Sequence, residues 1–200
     1  MGLGHAAHGP SFVRARWAPV SYDFASFNAL QAGELTVMDV VADIDTHGAV
    51  RLEQIDLVRV RKLTANRTQL PHESALSWQA RVGVRREHRE GETRMDEFAS
   101  FGVGRAAAWS STLLCYAMLD TVIQSAPSRL AFEPALGLVS SHADWRGSLS
   151  LSSRHDIGLR RWRGHLEAHL SHRLSQHESI HLEVKQDEQV RTVLSLASHW

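Results

Sequence analysis

The sequence predicts an all-β protein, an antiparallel up-and-down meander closed as an outer-membrane-type β-barrel of about 10–12 strands. Three observations carry this expectation. Apolar and polar residues alternate with period two over long runs. Turn residues punctuate those runs every ~10–16 residues, with no helical segments between. No apolar stretch approaches the ~20 residues that a membrane-spanning helix needs, whereas a spanning strand needs only about 9–11, half of them polar.

Residues 1–33 read as an N-terminal arm and first strand, and 34–200 as the barrel, a single domain overall. Leu35–Ile44 places Met38, Val40, Ala42 and Ile44 on one parity. Leu76–Arg85 alternates Leu76, Trp78, Ala80, Val82 and Val84 with Ser77, Gln79, Arg81, Gly83 and Arg85. Trp109–Ile123 is ambiguous between a strand and a buried helix, because apolar residues occupy both parities. Leu130, Phe132, Leu136 and Leu138 share a parity. In Trp162–Leu174 the even positions are apolar except His172, and the odd positions are wholly polar. Shorter alternations fall at Ser148–Ser152, Glu178–Lys185 and Thr192–Trp200. Turn signals lie at His47-Gly48, Asn66 with Pro71, Glu90-Gly91-Glu92, Pro127, Asp144, and Asp156 with Gly158. About eleven strands can be drawn; a closed single-chain bacterial barrel has an even number, so one is missed or spurious.

Alternation alone does not say which face is buried. A soluble barrel turns its apolar parity inward, and a membrane barrel turns it outward. Three features favour the membrane. The Trp162–Leu174 run is long beside the usual strand of about 5–6 residues. Small residues recur inside the runs (Gly83, Gly102, Gly104, Gly137 and Gly164), where curvature or close packing requires them. The polar faces carry both Arg and Asp or Glu, suited to pairing across a lumen. The chain also ends on Trp200, with Leu194 and Leu196 on its parity, much as outer-membrane proteins end on an aromatic; Ser198 departs from that pattern.

Composition excludes other classes. Lys+Arg is 22 and Asp+Glu is 22, so the formal net charge is zero, and no basic excess offers itself to nucleic acid. The 13 histidines make that charge sensitive to mild acid. A single cysteine, Cys115, excludes an internal disulfide and reads as a buried or lipid-facing structural thiol. Met1–His8 has neither a basic nor an apolar region of a secretory signal. An exported barrel needs one, so the chain reads as a fragment or as miscalled at its start, unless the export reading fails.

The run Arg51–Leu63, followed by Ala75–Arg86, resembles the C-terminal domain of Gram-negative envelope proteins whose N-terminal half is an Lnb-like domain, related to lipoprotein N-acyltransferases. The likeness is carried by Glu-Leu-x-x-Met-Asp-Val at Glu34–Val40, Leu-Glu-x-Ile-Asp-Leu at Leu52–Leu57, and Leu-Ser-Trp-x-x-Arg-x-Gly at Leu76–Gly83. The opening His5-x-x-His8-Gly9 and the Trp17–Asp23 segment fall where that domain begins. The resemblance is strongest over residues 34–86 and loose after 125. It implies that transferase chemistry resides in the N-terminal periplasmic domain, so that no residue here, Cys115 included, takes the catalytic role. The chain is then expected to be a non-catalytic barrel without a cofactor, with membrane lipid and that N-terminal domain as partners, and located at the outer membrane or the periplasmic face of the envelope. A soluble or peripheral barrel binding lipid or protein, and a barrel-borne lipid hydrolase, are the alternatives.

The candidate site residues line one face. Arg59, Arg61, Arg81, Arg85, Arg161 and Arg163 share odd parity and form either a cationic wall or pairs with Glu53, Glu97, Glu133, Glu167 and Glu183. His165, His169, His177 and His181 are also odd. A turn at 174–176 would set His169 opposite His181, as a metal pair, a pH sensor or part of a hydrated histidine ladder. Ser153 with His155, and Ser140-Ser141-His142, place serines near histidines, but neighbours of one parity on a strand stand about 7 Å apart, beyond hydrogen-bond reach. Trp17, Trp78, Trp109, Trp145, Trp162 and Trp200 mark either interfacial girdles or an ordinary core.

Overall fold

The computed structural model describes residues 1–6, 11–22, 33–65, 76–89, 92–125, 129–158, 161–176, 178–187 and 190–198. Among these, no helix is long and apolar enough to cross a membrane. The strands are β1 (Gly2–Ala6), β2 (Phe12–Trp17), β3 (Val20–Tyr22), β4 (Gly33–Asp45), β5 (Val50–Lys62), β6 (Leu76–Arg89), β7 (Glu92–Ala108), β8 (Leu113–Gln124), β9 (Arg129–His142), β10 (Trp145–Asp156), β11 (Arg161–Arg173), β12 (Glu178–Gln186) and β13 (Val190–Ser198). Expectations placed on His8, Pro71, Pro127, His177 and Trp200 lie outside the described residues.

All thirteen strands form one sheet, ordered β2-β1-β13 and then down to β3, with an extra β2–β4 pairing that closes it on itself. β2 and β3 meet β4 in one continuous register, Trp17↔Val40 and then Val20↔Val37. Ala18 and Pro19 interrupt that ladder, since proline has no N–H to give it. The two therefore count as one stave, and the barrel has twelve, an even number as a closed barrel requires. The count of eleven misses one: the N-terminal segment supplies β1, a stave of its own between β13 and β2. The ambiguous segment resolves as a bend over 109–112 followed by strand β8.

The barrel is inside out relative to a soluble one. Among the described residues, fourteen buried residues are polar or charged and eight are hydrophobic. Leu136, Leu151, Phe101, Leu194 and Trp162 stand exposed on the outer face. The parity of Trp162, Leu166 and Leu170 points outward, and that of Arg163, Glu167 and Ser171 inward.

The outer belt has marked edges on β10–β11. Trp145 stacks on its cross-strand partner His172 at one end, with ring centroids 4.3 Å apart. His155 stacks on Trp162 at the other, at 4.5 Å. The rows between them hold Leu149, Leu151, Leu166, Ala168 and Leu170 on the outer face. The two edge rows are ten residues apart. At about 3.3 Å per residue and a tilt of about 35–45° this makes a belt roughly 25 Å tall, the height of an apolar membrane band. Trp17 and Trp109 are exposed on the outside too, so the described tryptophans do not build a core.

β4 and β5 do not keep one parity. Glu34 and Thr36 are buried, and so are Asp39 and Asp43, although their parities differ. The switch falls at Met38, a non-glycine residue at φ 58°. On β5 the register with β6 shifts between Asp56 and Val58, which turns Leu57 and Val58 both outward and keeps Asp56, Arg59 and Arg61 inward. Bulges of this kind re-aim side chains. Here they bring acids and arginines of opposite sequence parity into one lumen.

One sector of the interior holds apolar clusters, with Asp96, Asp120 and Gln124 buried on the same strands. Phe98 on β7, Val122 on β8 and Ala131 on β9 form one buried cluster. Leu63, just past β5, is fully buried against Ala106, Tyr116 and Met118. The Thr64 N–H donates to Ser77 Oγ at 3.0 Å, and Ala65 bridges Ala106, so this segment folds inward across β6. Gly137 leaves room for the Tyr116 ring, which any Cβ there would strike.

Candidate functional site

The lumen is the candidate site, and three ion networks organise it. The first lies on β2, β4, β5 and β6. Arg16 grips Asp39 with two bonds of 2.8 and 2.9 Å. Arg59 reaches Asp39 and Asp56, each at 2.9 Å, and Glu34 at 3.3 Å. Arg81 Nε meets Asp56 at 2.9 Å. Arg61 Nε donates to Gln79 Oε1 at 2.5 Å, and Gln79 donates in turn to Asp120. The guanidinium groups of Arg81 and Arg85 both lie 4.9 Å from the Phe98 ring centre. Gly83 packs so closely on Ile55 O and Asp56 that no Cβ fits. Glu34, Asp39, Asp56, Ser77, Arg81 and Gly83 all belong to the three strand motifs named above; what those motifs encode here is an interior ion cluster.

The second network sits near the rim where β6 and β10 end. Arg85 bonds Glu87 at 2.9 Å. Arg154 on β10 meets Glu87 at 3.5 Å and Gln124 at 2.5 Å, and Gln124 also donates to Glu87. Asp156 accepts from Arg154 at 3.1 Å and from Arg163 at 2.6 Å. β6 and β10 are separated by three staves, so this network crosses the lumen.

The third joins β11 and β12 to β2. Lys185 Nζ lies 3.1 Å from Glu167 and 2.8 Å from Glu183. Arg14 bonds Asp43 at 2.7 Å and Glu183 at 3.5 Å. His169 Nε2 is 2.8 Å from Glu167, and His165 is 3.9 Å from it. Nearby, Arg191 on β13 reaches Glu53 on β5 at 3.3 Å, a second tie across the lumen.

The register corrects the histidine expectation. His169 faces Glu183, and His181 faces Ser171, two residues out from the pairing that a 174–176 turn implied. His181 is instead held between Ser171 Oγ at 2.8 Å and Ser179 Oγ at 2.6 Å. In a neutral ring one of these serines donates and the other accepts. The donor atoms that do come within 4.8 Å of one another are those of Glu167, His169 and Glu183. The Lys185 ammonium touches both carboxylates and supplies the positive charge there. Glu97 is the other correction: it is exposed on the outer face and joins no lumen pair. The side chain of Arg161 lies outside the described residues. Ser153 and His155 point away from the lumen, and His155 packs on Trp162 rather than on a serine. Cys115 stands in an outer-face groove with Leu136, Leu138, Leu149 and Leu151.

Lys185, Asp39 and Asp56 escaped the parity reading. Lys185 had a usable signal, its odd parity with Glu183 and Glu167. Asp39 had one too, its place on the polar parity opposite Met38, Val40, Ala42 and Ile44, whereas Asp56 had none, because the register shift beside it has no mark in the alternation.

A family model for DUF7840, a domain of unknown function, matches residues 28–199. Among curated proteins none matches the chain. Among solved structures, the chain superposes over all of its length on 98% of a KdgM porin in complex with disordered oligogalacturonate, with TM-score 0.58 and 9% identity. An anion-selective porin from Comamonas acidovorans matches 84% of this chain with 56% of its own, at TM-score 0.43 and 9% identity. OmpT of Vibrio cholerae lacking loop L8 matches all of this chain with 96% of its own, at TM-score 0.43 and 7% identity. The fold is that of an outer-membrane porin barrel.

Proposed function

The chain belongs to the DUF7840 family, and we propose that it is a non-catalytic membrane anchor: a barrel that spans the outer membrane and carries a periplasmic Lnb-like domain on its N-terminal side. The observation that carries the membrane reading is the belt of exposed Leu, Val and Phe bounded by the two Trp–His rows, wrapped around a charged interior. In water such a surface is an association hazard; in hydrocarbon it is the stable face. The interior supports anchoring over transport. Arg154–Glu87 and Arg191–Glu53 tie non-neighbouring staves together across the lumen, and the Leu63 segment folds inward at the other end of β5. The likeness of the ordered strand motifs to Lnb-like envelope proteins supports the partner domain.

The test is extraction and conductance. The protein expressed with an export signal should enter the outer-membrane fraction, need detergent for release, and run faster on gels unheated than boiled. In planar bilayers it should give no steady stepwise conductance. A chain that stays soluble without detergent removes the anchor reading. A stable conductance would turn the lumen into a pore, with Arg81 and Arg85 as its cationic wall.

A further inference from the structure

Two cations stand on the outer face with no anion beside them. Lys62, the last residue of β5, pairs with Trp78 on β6, and that row continues to Val103 on β7. Arg105 lies two residues beyond Val103 on the same face, between Leu76 on β6 and Ala117 on β8. Their chain neighbours Arg61, Ser77 and Ala106 point into the barrel, so Lys62, Trp78 and Arg105 point out of it. Both cations are exposed, and neither has an ion pair or a side-chain hydrogen bond among the described residues. The lumen differs: Arg59, Arg81, Arg154 and Lys185 each meet a carboxylate at 3.1 Å or less.

The surroundings of the pair are those of a membrane edge. Lys62 and Arg105 are two staves and two residues apart, which sets their Cα atoms about 12 Å from one another. Both long side chains therefore reach an anion set between them, over Leu76 and Trp78. Arg105 lies four residues short of Trp109, which is 81% exposed on the bend after β7. Tryptophan at such an edge marks headgroup depth, and a cation just beneath it extends its head toward phosphate. On the β8 side of Arg105, Ala107 and Ala117 keep the surface low beside Cys115. There a groove of about 300 Å³ runs between Leu136, Leu138, Leu149 and Leu151.

We propose that Lys62, Trp78 and Arg105 form a binding site for one anionic glycerophospholipid, its phosphate between the two cations and an acyl chain in the groove past Cys115. Charge complementarity assigns the headgroup, since no carboxylate answers these cations. The apolar lining of the groove assigns the chain. Strand direction assigns the leaflet. Neighbouring strands are antiparallel, so the end of β5, the start of β6 and the end of β7 share one end of the barrel with the start of β1. In the anchor reading polypeptide reaches the barrel at that end, from the periplasm, where glycerophospholipids form the leaflet. The site rests on that reading and deepens it, because it fixes one lipid at one place on the wall.

Native mass spectrometry of the folded barrel released from detergent micelles tests it. The probe is dioleoyl phosphatidylglycerol, set against phosphatidylcholine and lipopolysaccharide. The chain should retain one phosphatidylglycerol about tenfold more tightly than phosphatidylcholine. Lys62→Gln with Arg105→Gln should weaken that retention by about thirtyfold, each cation accounting for roughly fivefold. Lys62→Arg with Arg105→Lys should keep it. Arg51→Gln, at the opposite end of β5 and paired with Asp45, should leave it unchanged. Gel mobility without heating shows that each variant has folded, and the two single variants carry the test should the double one not fold. Equal retention of phosphatidylglycerol and phosphatidylcholine, undiminished retention without the two cations, or tighter retention of lipopolysaccharide would each overturn the proposal. The anchor reading fails on a different result, solubility without detergent, so the two failures are distinguishable.

Discussion

The wall built from β2, β4, β5 and β6 and the sector built from β7, β8 and β9 solve the same problem in opposite ways. Both must fill a lumen lined by alternate residues. The first wall fills it with charge: Arg16, Arg59 and Arg81 interlock with Glu34, Asp39 and Asp56. It accepts a left-handed Met38 and a register shift at Asp56/Val58 to aim those groups. The second fills it mainly with Phe98, Val122, Tyr116 and Met118 and the inserted Leu63, with Asp120 and Gln124 set among them. Its ladders run without a register shift. Charge recognises direction, so the charged wall needs bulges to bring fork to carboxylate. Apolar contact needs only volume, so unbroken pleats with small residues such as Gly137 suffice.

If this contrast is right, the charged wall should be the more sensitive to a single deletion. Asp56→Ala leaves Arg59 and Arg81 without their shared carboxylate, and should cost about 3–5 kcal/mol in denaturant unfolding from micelles. A cost below about 1 kcal/mol would mean that water already screens that wall. Leu63→Ala opens a cavity among Ala106, Tyr116 and Met118 and should cost about 2–5 kcal/mol, with less dependence on salt than Asp56→Ala. If Leu63→Ala leaves the unfolding midpoint unchanged, the inward fold of its segment is wrong.

The outer face is common to both regions and offers a smaller effect. Leu136→Arg, on the exposed face of β9, should cost about 2–4 kcal/mol in a bilayer and little in a soluble fold. A neutral result there would remove the belt. Smallest of all, His172→Ala takes away one ring of the Trp145 stack and should cost about 0.5–1 kcal/mol, read as a slight fall in the temperature at which gel mobility changes.

Most of the fold was legible before any coordinates. Trp162–Leu174 is a strand because apolar residues recur every second position. β8 was not legible, and the reason is physical. Its outward Leu119 and Ile123 stand exposed on the outer belt, while its inward Tyr116, Met118 and Val122 meet the apolar clusters, so both parities are largely apolar and the period fades. The site was legible in kind but not in partners. Arg81, Arg85, Arg163, Glu167, His165 and His169 carry a parity that can be read along the chain. That His169 meets Glu183 rather than His181 depends on how the β11–β12 turn spends its residues, which alternation does not record.

The amino-acid order alone therefore settled that this chain is a meander of amphipathic strands, because period two is a local property of the pleat. Which parity faces outward, how many staves close the ring, and which carboxylate meets which guanidinium were settled by closure. Those are relations between residues up to 195 positions apart, as between Met1 and Leu196. A left-handed Met38 and register shifts at Val41/Ala42 and Asp56/Val58 were enough to redraw them. A one-residue shift flips every side chain beyond it, and nothing in the alternation of one strand says where its neighbour will shift.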